Sequence, residues 1–379
     1  MTAETVLSNA RIVLANEIVE GSLVLRDGFI AGIDAGGSRS GEDMGGDYVI
    51  PGLVELHTDH LEGHYAPRPK VRWNPIAAVL AHDAQVATAG ITTVLDALRV
   101  GMDEDADLTS TDIRKLADAI EDSVAQDRLR ADHFIHLRCE VSAPDCLQAF
   151  ADFDRDDRVK LASLMDHAPG QRQFVNLETY AYYYQRKLKL TDRDFKLFCE
   201  KRMAESARYS APNRAVIAAA CRERGIVLAS HDDATSGHVD EAIEQGVRVA
   251  EFPTTEEAAR ASKAAGLGVL MGAPNVMRGA SHSGNVSARA LAGDGLLDIL
   301  SSDYIPFSLI QSAFFLGDMV EGISLPQAVA MVSKNPAEAV GLTDRGVIEQ
   351  GRRADLVRVR VDDHVPVVRT VWRQGRRVA

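Results

Sequence analysis

The sequence predicts an α/β protein, a TIM-type (β/α)8 barrel carrying a small composite β-sandwich formed from both chain termini. Three observations predict it. Both ends of the chain consist of short β-type runs and the middle does not. The middle alternates apolar strand-like runs with helical patterns, the mark of βα units around a parallel sheet. Those runs number eight, the count that closes a barrel.

The amino-terminal runs are Val6 to Leu14, Gly21 to Leu25 and Phe29 to Ile33, the last two hinged on Asp27-Gly28, followed by a glycine-rich stretch from Gly36 to Gly46. These read as hairpin strands. Ala354 to Arg360 and Val365 to Trp372 match them at the other end. We therefore expect residues 1–50 and 345–379 to pair into one sandwich beside a barrel spanning 51–344. The barrel strands are expected at Leu53–His57, Ile91–Asp96, Phe134–Cys139, Leu161–His167, Ile226–His231, Val247–Glu251, Gly268–Gly272 and Asp298–Asp303. Gly225 and Gly246 stand where helices should end, and Thr109 and Ser324 where helices should begin. A helical insertion at about 170–225 carries Tyr180, Tyr182, Tyr183 and Tyr184, then Arg186, Lys187 and Lys189. It reads either as an excursion with its tyrosines packed on the barrel or as a lid bringing cations to a substrate.

The chain of 379 residues suits one large barrel with a satellite. A net charge of −13 argues against non-specific nucleic-acid binding but not against a small anionic substrate met by a local basic cluster. No apolar run is long enough to span a membrane and no leader pattern opens the sequence, so a cytoplasmic protein is expected. Cys139, Cys146, Cys199 and Cys221 are scattered and read as reduced thiols. A homodimer is compatible with so large a barrel, though no residue pattern specifies it.

Chemistry concentrates at the strand ends. The first barrel strand runs from Pro51 into His57, Asp59, His60, Glu62 and His64. Residues 57 and 59 share a strand face. The other ends offer Glu140, Asp166-His167, His231-Asp232-Asp233, Glu251 and Asp303, and in a barrel all of these converge on one mouth. Imidazoles and carboxylates suit one or two divalent ions, zinc first, with manganese, iron or magnesium as alternatives. Such an ion lowers the pKa of a bound water from about 15.7 toward about 7, and a further carboxylate must take the proton. Asp303 is the expected general base. His57, Asp59, Glu140, His167, His231 and Asp303 are the expected metal-site residues, while His60, Glu62, His64 and Glu251 have roles that the spacing leaves open. His82, on a helical face, and His133, at a strand start, read as structural.

The pattern Asn9-Ala-Arg-Ile-Val13, Val49-Ile-Pro-Gly-Leu-Val-Glu-Leu-His57, Gly90-Ile-Thr-Thr-Val94, Asn335-Pro-Ala337 and Ala354-Asp-Leu-Val357 resembles the amidohydrolase superfamily over essentially the whole chain. That resemblance implies metal-dependent hydrolysis on a distorted barrel. The superfamily has a second histidine where this chain has Asp59. With Pro67-Arg-Pro69, His136-Leu-Arg-Cys-Glu140, Leu164-Met-Asp-His167 and Ala229-Ser-His-Asp-Asp233, that departure resembles the phosphonate-metabolism branch of the carbon–phosphorus lyase pathway. The branch implies a diphosphatase converting α-D-ribose 1-methylphosphonate 5-triphosphate to the 5-phosphate.

A triphosphate needs cationic partners. Arg68, Lys70 and Arg72 follow strand one, Arg172 follows strand four, and Arg278 and His282 with Asn285 follow strand seven. The small-residue stretch Gly272 to Gly284 would let backbone N–H groups approach phosphate oxygens. Two other readings compete: hydrolysis of a C–N bond in a cyclic amide or aminated base, the commoner activity of the superfamily, and a non-catalytic scaffold, which the retained strand-end ligands oppose.

Overall fold

The computed structural model describes residues 4–36, 40–102, 108–172, 180–185, 188–281 and 284–379. Its first sheet is drawn from both ends of the chain. β1 (Glu4–Val13), β2 (Ile18–Arg26), β3 (Phe29–Asp34), β4 (Glu42–Asp43) and β5 (Tyr48–Pro51) come first. The barrel strands follow: β6 (Leu53–Thr58), β7 (Ile91–Val100), β8 (Asp132–Glu140), β9 (Val159–Met165), β10 (Val227–His231), β11 (Val249–Glu251), β12 (Gly268–Gly272) and β13 (Ile299–Ser301). β14 (Leu356–Asp362), β15 (Val365–Arg373) and β16 (Arg376–Arg377) return to the first sheet, whose order is β16-β15-β14-β5-β1-β2-β3 with β4 beside β1. β14 runs antiparallel to β5, Leu356 opposite Pro51, and so joins the two ends. A register shift in β1 between Leu7 and Ala10 brings Leu7 and Ile12 to one face, where they are buried with Leu23 and Leu25 of β2, each worth about 1.5–3 kcal/mol of transfer free energy.

The second sheet is parallel throughout and follows chain order from β6 to β13. A bridge between Thr58 and Asp303 closes it, with the Asp303 N–H donating to the His57 carbonyl at 3.1 Å. All eight expected strands are present, their ends shifted by a few residues. Val54, Leu56, Leu95, Leu161, Ala229, Val249, Leu270 and Ile299 pack as one interior cluster, so the barrel is filled and only its mouth is open to chemistry. Ile135, Leu137, Cys139, Ala162 and Leu164 face the surrounding helices instead. Helix boundaries follow the expected signals: Gly225 and Gly246 cap at φ +68° and +83°, and Thr109 and Ser324 open helices with capping boxes.

Within the insertion, a helix spans Asp192–Arg224 and packs on the barrel through Arg202, Asn213, Ile217 and Cys221. Tyr180 is buried against Phe198 and Tyr184, in a cluster made of the insertion's own side chains, an arrangement compatible with either reading of the insertion. The side chains of Tyr182 and Tyr183, and residues Arg186 and Lys187, lie outside the described residues. Asp132, opening β8, is held by Arg345 and Arg353 at 2.7 Å each and by Arg373 at 3.2 Å, which locks the barrel to the terminal sheet. The four cysteines are free thiols. Among the described residues, no helix is long and apolar enough to cross a membrane.

Candidate metal centre

Strand alternation brings the polar groups together. On β8, His136, Arg138 and Glu140 share the inward face, while the intervening residues face helices. β6 breaks its own alternation: the ladder to β7 is irregular between Glu55 and Thr58, and there His57 turns in to meet His136 and Glu251. Glu55, fully buried, holds this irregularity by accepting the His57 N–H at 2.7 Å and the Ser302 N–H at 2.6 Å. One carboxylate thereby ties the end of the first barrel strand to the end of the last.

The mouth is a cavity of about 330 Å³ walled by His57, Asp59, His167, His231, Asp232 and Asp303, with Arg138, Phe252, Asn275, Arg278, Asn285 and Tyr304 around them. Asp232, Phe252 and Asp303 all take left-handed backbone conformations, φ +58°, +55° and +56°. Such conformations are costly for side-chain-bearing residues, most of all for a bulky one, and cluster where geometry serves a site.

His57 Nδ1 lies 2.7 Å from Glu251 Oε1, and Ser163 Oγ donates to Glu251 Oε2 at 2.7 Å. Burial works against a charged His57, but the Glu251 carboxylate overcomes it and raises the imidazole's pKa. Burial would likewise raise Glu251, and His57, His136 and His231 instead hold it well below the usual carboxylate range. His136 is pushed down to about 3, chiefly by burial. Glu140 is not on the cavity wall. It is fully buried behind His167, bonding His167 Nδ1 at 2.6 Å and the Ser142 hydroxyl at 2.6 Å, so its oxygens are already engaged. Burial opposes a charged His167, and Glu140 and Asp232 outweigh it, raising its pKa. Burial, helped by the Asp59 charge, raises the Asp303 carboxyl; burial with Asp59 also pushes Glu62 up to about 7. A raised carboxyl is suited to taking and returning a proton.

The expected phosphate contacts separate. Arg278 lines the cavity. Arg172 does not: it is buried in ion pairs with Asp233 and with Glu241 at 2.6 Å, so its charge is spent inside the fold. Arg68 and Arg72 are exposed, Arg72 lying 3.7 Å from Asp112, and neither is on the cavity wall. His282 lies outside the described residues. The stretch after β12 opens as a short helix, Ala273–Arg278, rather than a backbone cradle, because Pro274 sets the first turn and Ala273 and Val276 are buried. Arg138 escaped the reading of the strand ends. Its Nη1 lies 3.4 Å from Asp59 Oδ2 at the mouth, and its place two residues from both His136 and Glu140 was the signal that could have found it.

The residues present fit a divalent ion. His231 Nδ1 lies 2.9 Å from Asp232 Oδ2 while its Nε2 is buried without a hydrogen-bond partner, and one nitrogen each from His167 and His231 lies with an Asp232 oxygen inside a 4.8 Å group. Imidazole and carboxylate donors around a small cavity are the donor set for zinc and its neighbours. His60 and His64 do not join this group; they turn toward His82.

Comparison with known proteins agrees with the geometry. The chain is 50% identical over 377 residues to alpha-D-ribose 1-methylphosphonate 5-triphosphate diphosphatase of Escherichia coli (strain K12), covering 98% of this chain and 100% of that one. Among solved structures it is similar to N-acetyl-D-glucosamine-6-phosphate deacetylase from Mycobacterium smegmatis, with a TM-score of 0.65 and 18% identity over 99% of this chain and 100% of that one. It is also similar to 5-methylcytosine deaminase from Klebsiella pneumoniae, with a TM-score of 0.65 and 14% identity over 99% of this chain and 98% of that one. At these identities the two structures speak for the fold alone. Residues 151–379 match the model of the amidohydrolase family, whose members depend on metal, and the chain belongs to that family.

Proposed function

We propose that this chain is a metal-dependent hydrolase that cleaves a phosphoanhydride of α-D-ribose 1-methylphosphonate 5-triphosphate, giving the 5-phosphate and diphosphate. The observation that carries the reading is half-identity, along the full length of both chains, to an enzyme named for that reaction. His57, Asp59, His167, His231 and Asp303 would hold one or two divalent ions, zinc by donor type, with Glu251 and Glu140 supplying charge behind His57 and His167. A bound ion supplies Lewis acidity and neutralises phosphate charge.

The chain's own residues do the rest. Water adds to phosphorus, the bridging P–O bond breaks, and diphosphate leaves with the electron pair. Asp303, its carboxyl raised by burial, takes the proton from the attacking water. Arg138 and Arg278 on the cavity wall meet the phosphate oxygens through charge-assisted hydrogen bonds. Phe252 and Pro253 give the cavity its apolar side and limit water there.

The test is a diphosphate-release assay on the ribose triphosphate with metal-loaded and chelator-stripped protein. One diphosphate per 5-phosphate, only in the loaded sample, is expected. Turnover of cyclic amides with none of the triphosphate would reject the assignment.

A further inference from the structure

Beside the mouth lies a second group of imidazoles that the proposed reaction does not use. The helix His60–Tyr65 starts directly after Asp59, and its spacing of four places His60 and His64 on one face. Opposite them His82 projects from the helix Pro75–Thr88. The ring centroids stand 5.0 Å apart for His60 and His64, 6.2 Å for His60 and His82, and 6.1 Å for His64 and His82. One ring nitrogen from each falls within 4.8 Å of the others.

Hydrogen bonding fixes which nitrogens carry protons. His82 Nε2 lies 2.7 Å from Asp96 Oδ1; a carboxylate accepts only, so Nε2–H donates and Nδ1 is left with its lone pair. That Nδ1 belongs to a fully buried residue and has no hydrogen-bond partner. His64 Nε2 faces Gln85 Oε1 at 3.1 Å, so it too donates and leaves Nδ1 as an acceptor. His60 Nδ1 is a second buried ring nitrogen without a partner. Behind His82, Asp96 also holds His133 Nδ1 at 2.8 Å, and His133 Nε2 lies 3.4 Å from Asp83. A carboxylate that orients an imidazole from behind is the usual outer arrangement around a metal-binding histidine. His82, which its place on a helix marks as structural, thus presents an open nitrogen to two more imidazoles.

We propose that His60, His64 and His82 form a second metal site, for one divalent transition ion of the zinc type, with its fourth position open to solvent. A tetrahedral ion with Zn–N bonds of about 2.0–2.1 Å holds its nitrogens about 3.3–3.4 Å apart. Side-chain rotation of His60 and His64, both half-buried, closes that gap when the ion binds. The site does not depend on the substrate assigned to the mouth. Its consequence is mechanical: an ion there pins the first helix after His57 and Asp59 to the helix Pro75–Thr88.

The test compares the chelator-stripped full chain with a double variant, His60→Asn plus His64→Asn. Both are loaded with Co2+, freed of excess metal and measured by elemental analysis and visible absorption. The wild type should hold one equivalent more than the variant, and Zn2+ should raise the wild-type Tm by more. Equal stoichiometry and equal Tm shifts would overturn the proposal. Anomalous diffraction from zinc-loaded wild-type crystals gives an answer that needs no variant: a peak among the three imidazoles is expected, and peaks at the mouth alone would overturn it.

Discussion

Replacing Glu251 by glutamine should loosen the metal centre without emptying it. Glu251 is 1% exposed and accepts from His57 Nδ1 and from Ser163 Oγ, both at 2.7 Å, with His231 Nε2 at 3.8 Å. Glutamine keeps one acceptor for His57, so the ring should hold its orientation, but the charge goes and the amide NH2 faces the Ser163 hydroxyl. A hydrogen bond to a charged group contributes about 1.5–3 kcal/mol and a neutral one about 0.5–1.5, so the two bonds together weaken by about 2–3 kcal/mol. At about 1.4 kcal/mol per factor of ten, this falls near the top of the 10–100-fold loss of affinity usual for residues that orient a metal ligand. The assay is competition for zinc against a chromophoric chelator, with circular dichroism as the folding control. A variant that folds and keeps wild-type zinc affinity would refute the role assigned to the Glu251 charge. Saturating metal should restore much of the activity, because no group that touches substrate has been lost.

Asp303→Asn, measured at saturating metal so that the other ligands keep the ion, should lower diphosphate release by about 10²–10⁴-fold, the range for a lost acid or base; elemental analysis beside the rate measurement separates chemistry from metal loss. Arg138→Gln removes a cation from the cavity wall, and losing one or two charge-assisted bonds of about 1.5–3 kcal/mol each should raise KM for the triphosphate at least about tenfold; an unchanged KM would show that the guanidinium serves only Asp59. Asp132→Asn should lower the Tm at neutral pH. Burial would raise the Asp132 carboxyl, but Arg353, Arg345 and Arg373 hold it below its ordinary value. Its contribution is therefore present above the unfolded pKa of about 3.9 and is lost as pH falls through the lower folded value. The Tm gap between wild type and variant should be flat from about pH 5 to 8 and close below about pH 4, and a gap that persists in acid would contradict this.

Much of the barrel could be read from the sequence because each strand is an apolar run punctuated by a charged end, and Gly225, Gly246, Thr109 and Ser324 mark helix ends by chemistry that acts locally. His57, Asp59, His167, His231 and Asp303 could be gathered for the same reason, since a barrel sends all strand ends to one mouth. What could not be read depends on which neighbour a side chain meets. Arg172 follows a barrel strand as Arg278 does, yet Asp233 and Glu241, distant in sequence, capture it. The inward turn of His57 comes from an irregular ladder held by Glu55, and nothing in the spacing of residues 55 to 58 announces it. His60 and His64 have metal-like spacing, but their partner His82 stands on the next helix, where only packing could put it.

The link between the first and last barrel strands bears on when the centre comes into being. Glu55 and Ser302 are 247 positions apart, and the Asp303 N–H bonds the His57 carbonyl. Loop-closure entropy must be met before so distant a contact forms. During synthesis, His57 and Asp59 leave the ribosome long before the residues that complete their surroundings, so on the proposed ligand assignment a growing chain would offer an ion only a partial set of ligands. Metal uptake at full affinity then becomes a report that the ring has shut, and slow hydrogen exchange at the Asp303 amide should appear together with the bound ion.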